Sequence, residues 1–143
     1  MNVAGILKEK GSEVATVSAG DPLIDVAQTL ATKRIGALVV TGEDGGIAGI
    51  LSERDVVRAI SRQGAKALHS TVGDFMTSSV VTCTPEDSVS SLMTTMTENR
   101  FRHLPVVEDG QLAGIISIGD VVKWRIAEAE FEAEEMKRYI SSV

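Results

Sequence analysis

Two stretches of this chain read nearly alike: GIAGILSERDVVRAI at Gly46–Ile60 returns as QLAGIISIGDVVKWRI at Gln111–Ile126. The likeness extends upstream, where a shift of 66 positions pairs Leu23 with Val89, Val26 with Leu92, Ala27 with Met93, Leu30 with Met96 and Leu38 with Leu104. Beyond the next turn the shift becomes 65, and Gly49, Ser52 and Asp55 fall on Gly114, Ser117 and Asp120. A change of one residue inside a turn is what a duplicated unit tolerates, because turns run over the surface and carry little packing. Duplication therefore restricts the architecture to two copies of one unit. Each copy has roughly 60 residues, a size marginal for folding alone, so the copies are expected to pack on each other. The expected boundaries are 9–63 for the first repeat, 64–74 for a connector, 75–127 for the second repeat and 128–143 for a C-terminal helical extension.

Within each copy the spacing predicts strand, helix, strand, strand, helix. Leu23, Val26, Ala27 and Leu30 follow the i, i+3, i+4, i+7 pattern of an amphipathic helix, and Val89, Leu92, Met93 and Met96 repeat it. Asp21-Pro22 and Thr84-Pro85-Glu86-Asp87 mark the starts of these helices, each pairing a capping residue with a proline tolerated in the first turn. Two short apolar runs follow in each copy, Ala37–Val40 with Ile47–Leu51 and Leu104–Val107 with Leu112–Ile116, separated by turns rich in Gly and Asp that signal hairpins. Glu13–Val17 and Ser79–Cys83 read as short leading strands, and second helices start after Ser52 and Ser117. Val72, Phe75 and Met76 in the connector region are expected to pack beneath the second unit. The helix beyond Trp124 presents Trp124, Ala127, Phe131 and Met136 among glutamates, either as a solvated helix or as a stripe against another subunit.

Charge and composition exclude several classes. Fourteen basic against twenty acidic residues give a net charge of −6 with no basic run, so the phosphate-neutralising surface of a nucleic-acid binder is missing. Cys83 is the single cysteine, which rules out an intrachain disulfide and a thiolate zinc site and agrees with a reducing cytoplasm. No apolar run approaches the roughly 20 residues of a membrane span, and a soluble, cytoplasmic protein without membrane attachment is expected. Catalysis is not expected: no Ser/His/Asp order, metal-ligand spacing or glycine-rich phosphate loop is evident. His69 has no partner in view and receives no role.

Each unit ends an apolar strand in Gly-apolar-apolar-Ser-x-x-Asp, at Gly49–Asp55 and at Gly114–Asp120. A serine where a strand becomes a helix lies beside free backbone N–H groups and the positive helix end, which suits a phosphate. One turn later the aspartate shares that face, and its two oxygens can accept both hydroxyls of a ribose diol. The same spacing is also a capping box, in which both side chains bond only to the backbone. Spacing alone leaves these alternatives open.

The segments GILSERDVV and FRHLPVVEDGQLAGIISIGDVV, with the helix and hairpin pattern before each, resemble a pair of cystathionine-β-synthase (CBS) domains, also called a Bateman module. The resemblance covers about residues 13–126. It implies a mixed α/β (α+β) fold of tandem repeats related by pseudo-twofold symmetry, sheets facing each other, with two clefts that bind adenine nucleotides in many relatives. It further implies ribose contacts from Asp55 and Asp120 and phosphate contacts from Ser52 and Ser117. The base would be surrounded, largely by backbone, by Thr16, Val17, Ser18, Ala37, Leu38, Thr82, Cys83, Thr84, Leu104 and Pro105. The copies differ in charge: Arg100, Arg102 and His103 stand where the first copy has Arg34, Gly36 and Ala37, while Arg54 answers to Gly119. Arg54, Arg100, Arg102 and His103 are thus candidate phosphate contacts, and each cleft is expected to take a different ligand. The expected function is that of a stand-alone regulatory sensor of AMP, ADP or ATP, homodimeric and acting on an unidentified partner protein. NAD(H) as the adenosine-containing ligand, or a structural dimerisation module with empty clefts, are the alternatives.

Overall fold

Periodic apolar residues build the helices where the spacing predicts them. In the computed structural model, which describes residues 1–142, α2 (Leu23–Lys33) buries Leu23, Val26 and Leu30, and α4 (Val89–Asn99) buries Val89, Leu92 and Met96. Val143, the last residue of the expected extension, lies outside the described residues. Each helix covers an antiparallel hairpin: β2 (Ala37–Thr41) with β3 (Ile47–Ser52), and β4 (His103–Glu108) with β5 (Gln111–Ser117). Equivalent registers pair Ala37 with Ser52 and His103 with Ser117, and both hairpins shift register at equivalent places, Val40/Thr41 and Val106/Val107. The second hairpin closes on Asp109-Gly110 with φ of 52° and 76°, the positive pair that a two-residue turn matching the strand twist requires. Ser52 and Ser117 then cap α3 (Glu53–Gln63) and α5 (Ile118–Ser141).

The leading strands differ between the copies. β1 (Thr16–Ser18) pairs in parallel with β2, giving a three-stranded sheet, whereas the expected strand Ser79–Cys83 is reduced to one bridge between Cys83 and Val106. The cause is divided hydrogen bonding. Thr77 exchanges two 2.9 Å bonds with Ile50 of the first unit, while Cys83 donates to Pro105 O at 2.9 Å and accepts from Val107 N–H at 2.8 Å in the second. A segment tied to one sheet at Thr77 and to the other at Cys83 runs beside neither long enough to extend a ladder.

The starts of α2 and α4 also depart from expectation. Asp21 accepts from Ser18 N–H at 3.0 Å and Asp87 from Thr84 N–H at 2.9 Å, so both acids close the turn before the helix and do not cap it. Pro22 stands at the cap of α2 without a side-chain bond, and Ser88 caps α4 by accepting from Ser91 N–H at 3.0 Å.

The connector forms two 3₁₀ turns, Gly64–His69 and Val72–Asp74. Val72 is fully buried in the core of the first unit, and Phe75 and Met76 pack against that same core and not beneath the second unit. Its mirror lies at the other end. Helix α1 (Val3–Lys10), capped by Asn2, inserts Val3 and Ile6 into the core of the second unit beside Cys83, Val89 and Ile116. Val3 N–H donates to Asp87 O and Ala4 N–H to Pro85 O, both at 2.9 Å. Each unit is therefore completed by the segment that precedes the other.

Glycines mark where these exchanged segments approach most closely. A methyl group at Gly49 would lie 2.7 Å from Met76 Sδ and 2.9 Å from the backbone oxygen of Thr77, whereas one at Gly114 would meet Leu7 Cδ2 at 2.6 Å. A leucine tip can rotate aside; a bridged backbone cannot. Gly49→Ala is expected to lower stability by about 1–3 kcal/mol, the range for overpacking, and Gly114→Ala by clearly less. Urea unfolding of the two variants checks this, and an equal loss would contradict the exchange of segments.

Candidate functional site: a cleft across the two repeats

A cleft of about 660 Å³ lies where the repeats meet, within the size range of small-molecule sites. The first repeat contributes Gly36 and Ala37 at the start of β2, Ile50 on β3, and the opening turn of α3 with Ser52, Arg54 and Asp55. The second contributes its leading segment, Thr77 and Ser79–Val81, and the end of α4 through β4, with Asn99, Arg100, Phe101, Arg102 and His103. Arg58 completes a group of four arginines, Arg54, Arg58, Arg100 and Arg102, against Glu53 and Asp55. A chain of net charge −6 thus gathers a local excess of positive charge at one cleft.

Both Ser-x-x-Asp segments are capping boxes. Asp55 Oδ2 accepts from Ser52 N–H at 2.9 Å and from the Ser52 hydroxyl at 3.1 Å, while Oδ1 has Arg58 at 3.9 Å. Asp120 Oδ2 accepts from Ser117 N–H at 2.9 Å and from the Lys10 ammonium at 2.6 Å, and Asp120 N–H donates to Ser117 Oγ at 3.1 Å. Burial by itself would raise the Asp120 carboxyl. The Lys10 and Ser117 hydrogen bonds and the Lys10 charge outweigh it and hold the group below the usual carboxylate range.

Arg100 ends α4 in the left-handed conformation, φ 58°, as Arg34 does at the end of α2, φ 54°. Glycine is the usual residue there, since a β-carbon costs energy in that region. Both copies therefore keep an arginine at a strained position.

The residues predicted for the base are spread more widely than the cleft. Ala37 lines it, but Leu38 and Leu104 are buried in the two separate cores. Thr16, Val17 and Ser18 form β1, while Thr82 and Thr84 are exposed beside the Cys83 bridge. Pro105 is buried and gives its carbonyl to Cys83, whose own N–H and C=O are both engaged. Burial, with the Asp87 charge, pushes the Cys83 thiol up to about 12, so it is a packed core group. The part of the leading segment that reaches the cleft is Thr77–Val81, a few residues before the predicted Thr82–Thr84. Val81 is exposed and apolar there. The signal that could have found it is the register of the exchange, which sequence periodicity does not encode.

Comparison with known proteins matches this arrangement twice over. A family model described as CBS domain matches residues 8–62 and again residues 72–127. The chain belongs to the CBS domain family. A mitochondrial CBS domain-containing protein of Arabidopsis thaliana is 36% identical over 146 residues, covering 96% of this chain and 71% of that one. The crystal structure of a CBS-domain containing protein of Agrobacterium tumefaciens superposes with a TM-score of 0.85 at 48% identity, covering 87% of this chain and 99% of that chain. A CBS domain pair solved in complex with 5′-methylthioadenosine and S-adenosyl-L-methionine shares the fold, with a TM-score of 0.80 at 22% identity over 90% of this chain and 98% of its own. The CBS pair is a regulatory module. Among the described residues no helix is long and apolar enough to cross a membrane.

His103 occupies the wall between the repeats of this CBS pair. A methyl group at Gly36 would come within 3.0 Å of its ring and 3.1 Å of Glu53 Oε1, so both side chains lie over that glycine. Burial holds the imidazole below its usual range; Lys10 and Arg102 act in the same sense, while Glu53 and Asp120 oppose them. The unfolded chain therefore binds this proton more readily. His103 contributes stability that is fully present above its ordinary pKa of 6.5 and is lost as the pH falls through the lowered folded value. Wild type is expected to lose more stability than His103→Gln between pH 7 and pH 5, read as the difference between their urea midpoints. Parallel losses would assign the pH dependence to other groups.

Proposed function

We propose that this CBS pair is a regulatory sensor of adenine nucleotides, AMP, ADP or ATP, bound in the Ser52/Asp55 cleft. The single observation that carries the reading is convergence: one cleft brings together a carboxylate oxygen suited to a ribose diol, a helix N-terminus and four arginines from both repeats. Asp55 would hold the ribose, and Ser52, Arg54, Arg100, Arg102 and His103 would surround the phosphate chain. Ile50, Val80 and Val81 supply apolar surface for the base. The related-fold pair with two adenosine compounds supports the choice of nucleoside. A ligand that touches both repeats favours the arrangement in which it bridges them, by no more than its differential affinity for the alternatives, and a partner protein would read that difference. The proposed setting is the cytoplasm, and no catalytic step is assigned.

Thermal melting with a nucleotide panel tests this. A nucleotide at about 100 times its dissociation constant should stabilise the fold by about 2.7 kcal/mol, and Asp55→Asn should remove the shift while retaining the cap. Arg100→Gly should raise intrinsic stability, by up to about 1–2 kcal/mol from relief of the left-handed strain, yet weaken nucleotides relative to adenosine. If no adenine nucleotide moves the midpoint, the capping boxes are only caps and the structural reading stands.

We also propose a homodimer formed through α5. Val122, Ile126, Ala129, Ala133, Met136 and Ile140 alternate spacings of four and three along the helix, and all are exposed. Trp124, by contrast, packs against its own second-unit core and does not belong to the stripe. A 3-4 alternation is the seam of a two-stranded coiled coil. Across a parallel seam Arg125 meets the partner's Glu130, and Glu132 the partner's Lys137, so a second copy satisfies the flanking charges. Ile126→Glu is expected to convert a dimer into a monomer in sedimentation equilibrium without lowering the melting point of the diluted monomer. A dimer that survives the substitution places the interface elsewhere.

A further inference from the structure

Equivalent carbonyls in the two repeats have unlike partners. Ile50 O accepts from a backbone group, Thr77 N–H, at 2.9 Å. Its counterpart Ile115 O accepts instead from the Lys10 ammonium at 2.8 Å, and the same ammonium lies 2.6 Å from Asp120 Oδ2. Asp55, the counterpart of Asp120, has no lysine; the nearest cation is Arg58 at 3.9 Å.

Lys10 is held there by its helix. It is the last residue of α1, which is anchored by the fully buried Val3 and Ile6 and by Leu7 lying against Gly114. Directly after it the chain turns at Gly11, φ 99°, a conformation open to glycine, and leads away to β1. The ammonium therefore reaches the second Ser-x-x-Asp segment from a packed helix end that a glycine turn closes. The Lys10 and Asp120 side chains keep 34% and 22% of their exposure, so the contact sits at the rim and can open without unpacking a core.

We propose that Lys10 is a built-in competitor at the second Ser-x-x-Asp segment: its ammonium takes the place on Asp120 that a ribose diol would take, so Ser117 and Asp120 receive a nucleoside only when the Lys10 side chain swings away. The Ser52/Asp55 cleft has no such occupant. The inference rests on the reading of Asp55 and Asp120 as ribose acceptors and adds to it an order of filling, with the first repeat's cleft first.

Calorimetric titration of the full chain with AMP tests this in a background where the first cleft is disabled. Asp55→Asn is expected to bind AMP weakly, and Asp55→Asn/Lys10→Met at least about tenfold more tightly, as removal of a competitor that holds the site closed about nine-tenths of the time requires. Lys10→Gln serves as a second replacement should the methionine variant misfold. Unchanged or weaker binding in both double variants overturns the competitor and, if weaker, makes Lys10 a phosphate contact. AMP bound by wild type and lost in Asp55→Asn, without a gain in the double variants, overturns the competitor alone. AMP ignored by every variant overturns it together with the sensor reading. A nucleotide-free measurement tests the placement of the ammonium itself. His103 faces Lys10, Arg102, Glu53 and Asp120, so loss of the lysine charge should raise its NMR titration midpoint, and an unmoved midpoint would show that Lys10 does not sit at Asp120.

Discussion

The exchange of leading segments between the repeats is the contact on which the rest of the structure depends. Val3 and Ile6, which precede the first repeat, are fully buried in the core of the second; Val72, which precedes the second, is fully buried in the core of the first. Neither half has a complete apolar core of its own. Units of roughly 60 residues are marginal alone, and here each gains its missing surface from the other. The fold is one cooperative body because each unit holds part of the other's interior.

The same exchange builds the cleft. Drawing Thr77 onto Ile50 carries Ser79–Val81 across the front of the first repeat's hairpin, opposite Ser52 and Asp55. The end of α4 then brings Arg100 and Arg102 to the same opening. At the pseudo-equivalent place the crossing element is the end of a helix, and its terminal side chain, Lys10, meets Asp120 directly. Two Ser-x-x-Asp segments related by a duplicated sequence thereby acquire different surroundings. Both strained arginines, Arg34 and Arg100, survive at the left-handed ends of equivalent helices, where glycine would be easier.

Much of this was legible from spacing. The helices α2 and α4, both hairpins and both serine caps follow from periodicity and turn residues, since these depend on neighbours within a few positions. The apolar run at Ser79–Cys83 predicts a strand that does not form, because the hydrogen bonds at its two ends go to different sheets. Helix α1 carried a signal, Asn2 followed by Val3, Ile6 and Leu7, in a stretch short enough to pass for a tail. Phe75 and Met76 pack on the first unit although chain proximity favours the second, because the connector crosses the first unit's core before it leaves.

The sequence by itself determined that two like units exist, that each closes a strand onto a capped helix with Ser52 and Asp55 or Ser117 and Asp120, and that no run of basic residues interrupts the chain. Those properties are local or compositional. Tertiary structure alone decided which arginines converge, which residues line the cleft, and that Lys10 reaches Asp120 across 110 positions of chain. The physical reason is that contacts across the repeats depend on the route each leading segment takes over the other unit. That route is set by shape and by free hydrogen-bonding groups on both units together, and no window of neighbouring residues contains it.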